Sequence, residues 1–249
     1  MIVFVTGASA GFGAAIARRF AKEGHLVVAT GRRRERLETL ADELGRDKVL
    51  PLVFDVRDRH AVERAVQELP ASFAEIDVLV NNAGLALGLE PAQKASLDDW
   101  DTMVDTNVKG LIYVTRAALP GMVTRNRGLI VNLGSTAARY PYPGGNVYGA
   151  TKAFVHQFSL NLRADLLGTR VRVTDIQPGL VRGSEFSTIR FHGDAGRAAK
   201  LYEGADALKP EDIAEAIYWV ATLPPRVNIN AIEMMPVTQA FGPLAVHRA

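Results

Sequence analysis

Tyr148 and Lys152, four residues apart in the run Val147-Tyr148-Gly149-Ala150-Thr151-Lys152, are the side chains in this sequence best suited to moving a proton. On a helix such a pair shares one face, so a phenol stands beside an ammonium. A free tyrosine titrates near about 10, and an adjacent cation favours phenolate, which would bring the group closer to neutral acid–base work. Upstream, Ser135 closes the apolar run Ile130-Val131-Asn132-Leu133-Gly134 and offers a hydroxyl to an oxygen on which charge develops. Asn107, in Asp105-Thr106-Asn107-Val108-Lys109-Gly110, falls inside a helical pattern, where a short amide is disfavoured. Its expected duty is structural or water-holding.

A second set of residues suits an anionic ligand. Thr6-Gly7-Ala8-Ser9-Ala10-Gly11-Phe12-Gly13 follows an apolar run directly and opens an amphipathic stretch. A backbone turning from strand to helix with few side chains lets a pyrophosphate reach free N–H groups at the helix start, which makes Gly7, Ser9, Ala10, Gly11, Phe12 and Gly13 a candidate cradle. The spacing is G-x-x-x-G-x-G rather than the usual G-x-G-x-x-G, and glycine-rich turns also occur without ligands. After the next apolar run comes Gly31-Arg32-Arg33-Arg34, where a fold using NAD places a carboxylate for the ribose. The planar guanidinium pairs bidentately with phosphate, so Arg32 and Arg33 predict NADP in preference to NAD, while Arg34 also reads as a solvated helix start. Asp55-Val56 is placed to meet the adenine, with helix capping as an alternative duty for Asp55, and Asn82-Ala83-Gly84 completes the groove.

The elements that must hold these groups alternate. Predicted strands cover 2–5, 26–30, 49–54, 78–81, 129–133, 171–176 and 227–235, and predicted helices cover 12–22, 34–44, 59–69, 100–124, 148–166 and 211–222. That order predicts an α/β chain with a Rossmann-type, doubly wound parallel sheet of about seven strands flanked by helices, in one domain over 1–249. In the first helix Ile16 and Phe20 mark the buried side and Arg18, Arg19 and Lys22 the wet side. Residues 181–208 are too long and too weakly periodic for an ordinary connection, and are expected to form a lid over the substrate. The tail with Phe241 and Leu244 shows no helix pattern and is expected to pack on a neighbour.

Composition narrows the function. The 249 residues are 48% hydrophobic with a net charge of +2, enough for a full core and no basis for a nucleic-acid surface. There is no cysteine, no secretory signal pattern and no apolar stretch of membrane-spanning length, which points to the cytoplasm. The five histidines, His25, His60, His156, His192 and His247, lack metal-ligand spacing. Asp98 and Asp99 precede Trp100 at a helix start, where carboxylates favour the macrodipole.

The glycine-rich turn, Asn81-Asn82-Ala83-Gly84, the mid-helix Asn107, Ser135 at a strand end and Tyr148-x-x-x-Lys152, in that order, resemble the short-chain dehydrogenase/reductase family along essentially the whole chain. That resemblance implies catalysis by Asn107, Ser135, Tyr148 and Lys152, with Tyr148 and Lys152 also against the cofactor. It further implies cofactor contacts from Pro178, Gly179, Val181 and Ser184, the last where the family commonly has threonine. Gly31-Arg32-Arg33, Asn82-Ala83-Gly84-Leu85-Ala86-Leu87-Gly88, Gly144 to Phe154, Pro178-Gly179-Leu180-Val181 and Glu233 to Gln239 resemble the NADP-dependent 3-hydroxy acid dehydrogenases more closely. These act on serine, allo-threonine and related 3-hydroxy acids, reduce malonic semialdehyde to 3-hydroxypropionate, and are homotetramers. A substrate carboxylate needs a cation, and Arg190 is the first candidate, with Arg182 and Arg139 as alternatives; Ser135 and Tyr148 would meet the reacting oxygen. The competing expectations are a reductase of another small carbonyl compound, such as a 3-ketoacyl thioester, and a non-catalytic NADP-binding sensor.

Overall fold

In the computed structural model, which describes residues 1–242, seven parallel strands form one sheet. They are β1 (Ile2–Val5), β2 (Leu26–Gly31), β3 (Val49–Val53), β4 (Val78–Asn81), β5 (Gly128–Leu133), β6 (Val171–Pro178) and β7 (Ala231–Met234), in the order β3-β2-β1-β4-β5-β6-β7. The helices are α1 (Gly11–Lys22), α2 (Arg34–Leu44), α3 (Arg59–Gln67), α4 (Leu97–Val104), α5 (Leu111–Thr124), α6 (Asn146–Asp165), α7 (Phe186–Arg190), α8 (Ala195–Lys200) and α9 (Pro210–Thr222). Strand order reverses between β1 and β4, and open parallel sheets bind ligands at the carboxyl ends of strands beside such a reversal.

The two-residue period of the strands sorts the apolar side chains into two layers. Val3, Val5, Val27, Ala29, Val78 and Val80 pack with Ile16 and Phe20 of α1, Leu37 of α2 and Ile213 and Ile217 of α9. Phe4, Val28, Leu79 and Ile130 point the other way, onto Val62 of α3, Val114 and Met122 of α5 and Leu162 of α6. The polar side of α1 is wet as expected, with Arg18 bound to Glu43 and Arg19 to Glu23 and Glu215. Pro51 is tolerated in β3 because that strand lies at the sheet edge.

Several element ends shift by one or two residues, and four larger departures from the sequence expectation have physical reasons. The predicted helix 100–124 begins earlier, because the Ser96 hydroxyl caps it by accepting the Asp99 N–H at 3.3 Å. It is also split by a π-helical turn at Asp105–Gly110, which places Asn107. The last strand is shorter than 227–235, because the Asn228 side chain takes over the ladder: its Oδ1 accepts from Val173 N at 2.8 Å and its Nδ2 donates to Val173 O at 3.1 Å. Within 181–208 lie two short helices, α7 and α8, whose few turns left no readable period. The segment is closed at its base, where Val181 pairs with Leu208 and Arg182 N donates to Leu208 O at 2.9 Å. In the tail, Phe241 lies on Tyr140 of the same chain at 4.7 Å between ring centres, while Leu244 and His247 fall outside the described residues.

Candidate active site

The glycine-rich turn leaves β1 and is fastened to the end of β4. Thr6 Oγ1 accepts N–H bonds from Asn82 and Ala83, both at 2.9 Å, and Asn82 Nδ2 donates to the carbonyls of Thr6 at 2.7 Å and Gly7 at 3.2 Å. Gly7 and Gly11 have φ of +67° and +53°, the left-handed region that glycine adopts without strain. A Cβ on Gly13 would run into the Gly7 carbonyl and into Asn82 Nδ2, so Gly13 serves close packing behind the turn rather than lining the groove.

In front of this turn is a cleft of about 300 Å³. Gly7, Ser9, Ala10, Gly11 and Phe12 form its floor, and Arg32, Arg33, Asp55 and Val56 close one end. Asn82, Ala83 and Gly84 line its middle, Tyr148 and Lys152 close the other end, and Ser184 lies over the turn beside Gly11. Among the sequence-predicted cofactor residues, Gly13, Pro178, Gly179 and Val181 do not line it. Pro178 ends β6 and accepts from Thr136 Oγ1 at 3.4 Å, Gly179 packs on Gln239, and Val181 pairs with Leu208. The capping duty that the sequence also allows Asp55 belongs to Asp58, whose carboxylate accepts the Ala61 N–H at 3.0 Å. Asp55 instead binds Arg57 at 2.7 Å.

The reacting groups converge on α6. The Tyr148 side chain is buried, edge-on to Phe186 at 5.8 Å between ring centres, and Lys152 Nζ lies 5.9 Å from its ring. Burial pushes the phenol up to about 12, against a downward pull from the Ser135 hydroxyl and Arg190. The phenolate preference expected from Lys152 is therefore absent in the protein by itself. Burial also lowers Lys152 to about 8, and its Nζ donates to the Leu133 carbonyl at 2.7 Å. Ser135 turns the chain after β5 and accepts the Ala137 N–H at 3.1 Å.

Asn107 has the structural duty expected of it. From the π-helical turn its Oδ1 accepts the Leu85 N–H at 2.9 Å, and its Nδ2 donates to Leu85 O at 2.8 Å and Thr151 Oγ1 at 3.1 Å. One amide thereby fixes the loop after β4 to the helix carrying Tyr148 and Lys152. The extra residue of a π turn is what aims this side chain inward without breaking the helix.

Arg190, at the end of α7, is buried, and its guanidinium carbon lies 5.4 Å from the Tyr148 ring centre and 5.3 Å from that of Tyr142. It donates to the Tyr142 hydroxyl and, at 3.3 Å, to the Gly88 carbonyl. Among the described residues no carboxylate pairs with it. Arg182 is exposed, and Arg139 is half-exposed near Glu233 at 3.9 Å.

A family model described as short chain dehydrogenase matches residues 1–192. The chain belongs to the short-chain dehydrogenase family. Over its full length it is 68% identical to the NADP-dependent 3-hydroxy acid dehydrogenase YdfG of Salmonella typhimurium, also covered in full. It is 52% identical to the serine 3-dehydrogenase of Agrobacterium fabrum, with 99% of this chain and 98% of that one covered. The closed form of a serine dehydrogenase complexed with NADP+ superposes with a TM-score of 0.98 at 65% identity, each chain covered in full.

In this short-chain dehydrogenase several contributors escaped sequence reasoning. Thr6 and Leu85 are bracing partners, and Tyr142 and Phe186 shape the surroundings of Arg190 and Tyr148. Glu185 was missed because its partners, Arg33 and Arg36, lie far away in the chain. Only the Tyr142 hydroxyl carried a signal, a phenol close upstream of Tyr148.

The buried amine of this dehydrogenase gives a stability prediction. The folded value of about 8 for Lys152 lies below the 10.5 of an exposed lysine, so stability is greatest above about 10.5 and is lost as pH falls through about 8. Lys152→Met, neutral at every pH, should stabilise the fold at pH 7 by up to about 3 kcal/mol, and by much less at pH 10. Thermal melting at the two pH values measures this, and an equal change at both would contradict it.

Proposed function

We propose that the chain is an NADP-dependent oxidoreductase interconverting small 3-hydroxy acids, such as serine, allo-threonine and 3-hydroxypropionate, with their 3-oxo acids. The observation that carries the substrate class is Arg190. A buried guanidinium without a carboxylate partner is costly, and a substrate carboxylate bound beside Tyr148 would meet that need. The cleft suits the cofactor on physical grounds: positive-φ glycines open the turn to a pyrophosphate, and Arg32 has no ion-pair partner among the described residues.

When bound, NADP supplies the hydride acceptor, or as NADPH the donor. Tyr148 holds the proton at its hydroxyl, giving it to the substrate oxygen in reduction and taking it in oxidation. Ser135 donates a hydrogen bond to the same oxygen. Lys152, with one N–H on Leu133 O, keeps two for the ribose hydroxyls and supplies positive charge beside the phenol. Asn107 positions the loop and helix between which these groups work. Residues 181–208 act as the lid of a single domain spanning 1–249, excluding water through Phe186 and Ile189 on the cleft wall.

Arg190→Ala should lower kcat/KM for serine by more than ~10-fold, because a charged hydrogen bond contributes roughly 1.5 to 3 kcal/mol. An unchanged value would remove Arg190 from the site. The substrate class is tested by steady-state rates with NADP(H) on a panel of small 3-hydroxy acids, malonic semialdehyde and a 3-ketoacyl thioester. Preference for the thioester would overturn the reading, and pyridine-nucleotide binding without turnover of any of them would favour a sensor. Family resemblance supports a homotetramer, which light scattering checks. A cysteine-free chain in which no described helix is long and apolar enough to cross a membrane supports a cytoplasmic site of action, which cell fractionation checks.

A further inference from the structure

The 181–208 segment brings a carboxylate into the end of the cleft assigned to the 2′-phosphate. Glu185 binds Arg33 Nη1 through one oxygen at 2.7 Å and Arg36 Nη1 through the other at 2.9 Å. The remaining edge of Arg33, Nε and Nη2, donates to Ser9 Oγ of the glycine-rich turn at 3.2 and 3.0 Å. Next to Glu185, Ser184 lies against the turn itself: a Cβ on Gly11 would sit 3.0 Å from the Ser184 Cβ.

From this geometry we propose that Glu185 competes with the cofactor's 2′-phosphate for Arg33 and thereby speeds cofactor release. The proposal rests on the assignment of Arg32 and Arg33 to that phosphate. A phosphate monoester carries about −1.5 to −2 charge and matches the guanidinium fork, so it displaces a single carboxylate from a half-exposed pair that contributes little by itself. Arg36 retains the displaced Glu185 close by. Its negative charge then opposes the phosphate, and it recaptures Arg33 as the cofactor leaves. Arg33, ahead of Arg36, holds the Glu185 carboxyl below the usual carboxylate range, so it stays ionised at neutral pH.

The test is calorimetric titration of the full chain with adenosine 2′,5′-bisphosphate, which carries the 2′-phosphate, and with ADP, which lacks it and has its second phosphate on the 5′ side. Glu185→Gln should tighten the bisphosphate roughly three- to tenfold while ADP stays within about twofold, and should slow NADPH release as followed by its fluorescence. An unchanged or weakened bisphosphate relative to ADP would overturn the competition. Arg33→Ala separates the two claims. If it fails to weaken the bisphosphate relative to ADP, the phosphate assignment itself falls. If it does weaken it and Glu185→Gln has no effect, only the competition falls.

Discussion

Tyr148→Phe should lower kcat by about 10²- to 10⁴-fold, the usual contribution of a positioned acid or base, with NADP affinity within about twofold of the parent. The ring stays in its apolar surroundings, edge-on to Phe186, so the variant removes the transferable proton without opening a cavity. The Ser135 hydroxyl remains, but an alkyl hydroxyl is a far weaker acid than a phenol and does not replace it. The direction of the Tyr148 shift also predicts the pH dependence. Burial raises the phenol to about 12, so at neutral pH it rests protonated and ready to donate. Carbonyl reduction should therefore be nearly flat around neutrality, while alcohol oxidation, which needs the phenolate, should rise with pH. Initial rates in both directions measure this, and the rise should be absent from the Phe variant. A Tyr148→Phe protein of near-parental kcat would remove Tyr148 from the chemistry.

The second large effect concerns the cofactor. Arg32→Asp should shift the ratio of kcat/KM for NADP to that for NAD by about 10²-fold or more toward NAD. Losing one charged hydrogen bond accounts for roughly 1.5 to 3 kcal/mol, and the new carboxylate repels the 2′-phosphate while offering an acceptor to the 2′-hydroxyl of NAD. Arg32 lines the cleft and has no ion-pair partner among the described residues, so few other interactions change with it. Unaltered preference would move the phosphate site away from this strand end.

What could be read in the sequence was whatever depends on local order. The apolar runs became strands at the expected places, since a strand buried on both faces has to be continuously apolar, and the glycine-rich turn, Arg32, Asn82 to Gly84 and Ser135 follow their ends. Tyr148 and Lys152 were legible because a four-residue spacing on a helix fixes their proximity. Asn107 was legible as an anomaly, but not as a π turn, because one extra residue in a long helix leaves the apolar period nearly intact. The elevated phenol was not legible: its cause is burial, to which Phe186 contributes from a segment whose short helices leave no period. Glu185 could not be read either, because its meaning lies in a contact across 152 positions with Arg33. Arg190 was reached through the chemistry a carboxylate requires, and the burial that distinguishes it from Arg182 and Arg139 is a property of the folded chain.

The most direct measurement of the central claim is oxidation of serine carrying deuterium at both C3 positions, with the reduced cofactor examined by mass spectrometry. A 3-hydroxy acid dehydrogenase using this site yields NADPH heavier by one deuterium, together with the 3-oxo acid, and loses this activity in Tyr148→Phe. Reduced cofactor without label, or none from any small 3-hydroxy acid, would contradict it.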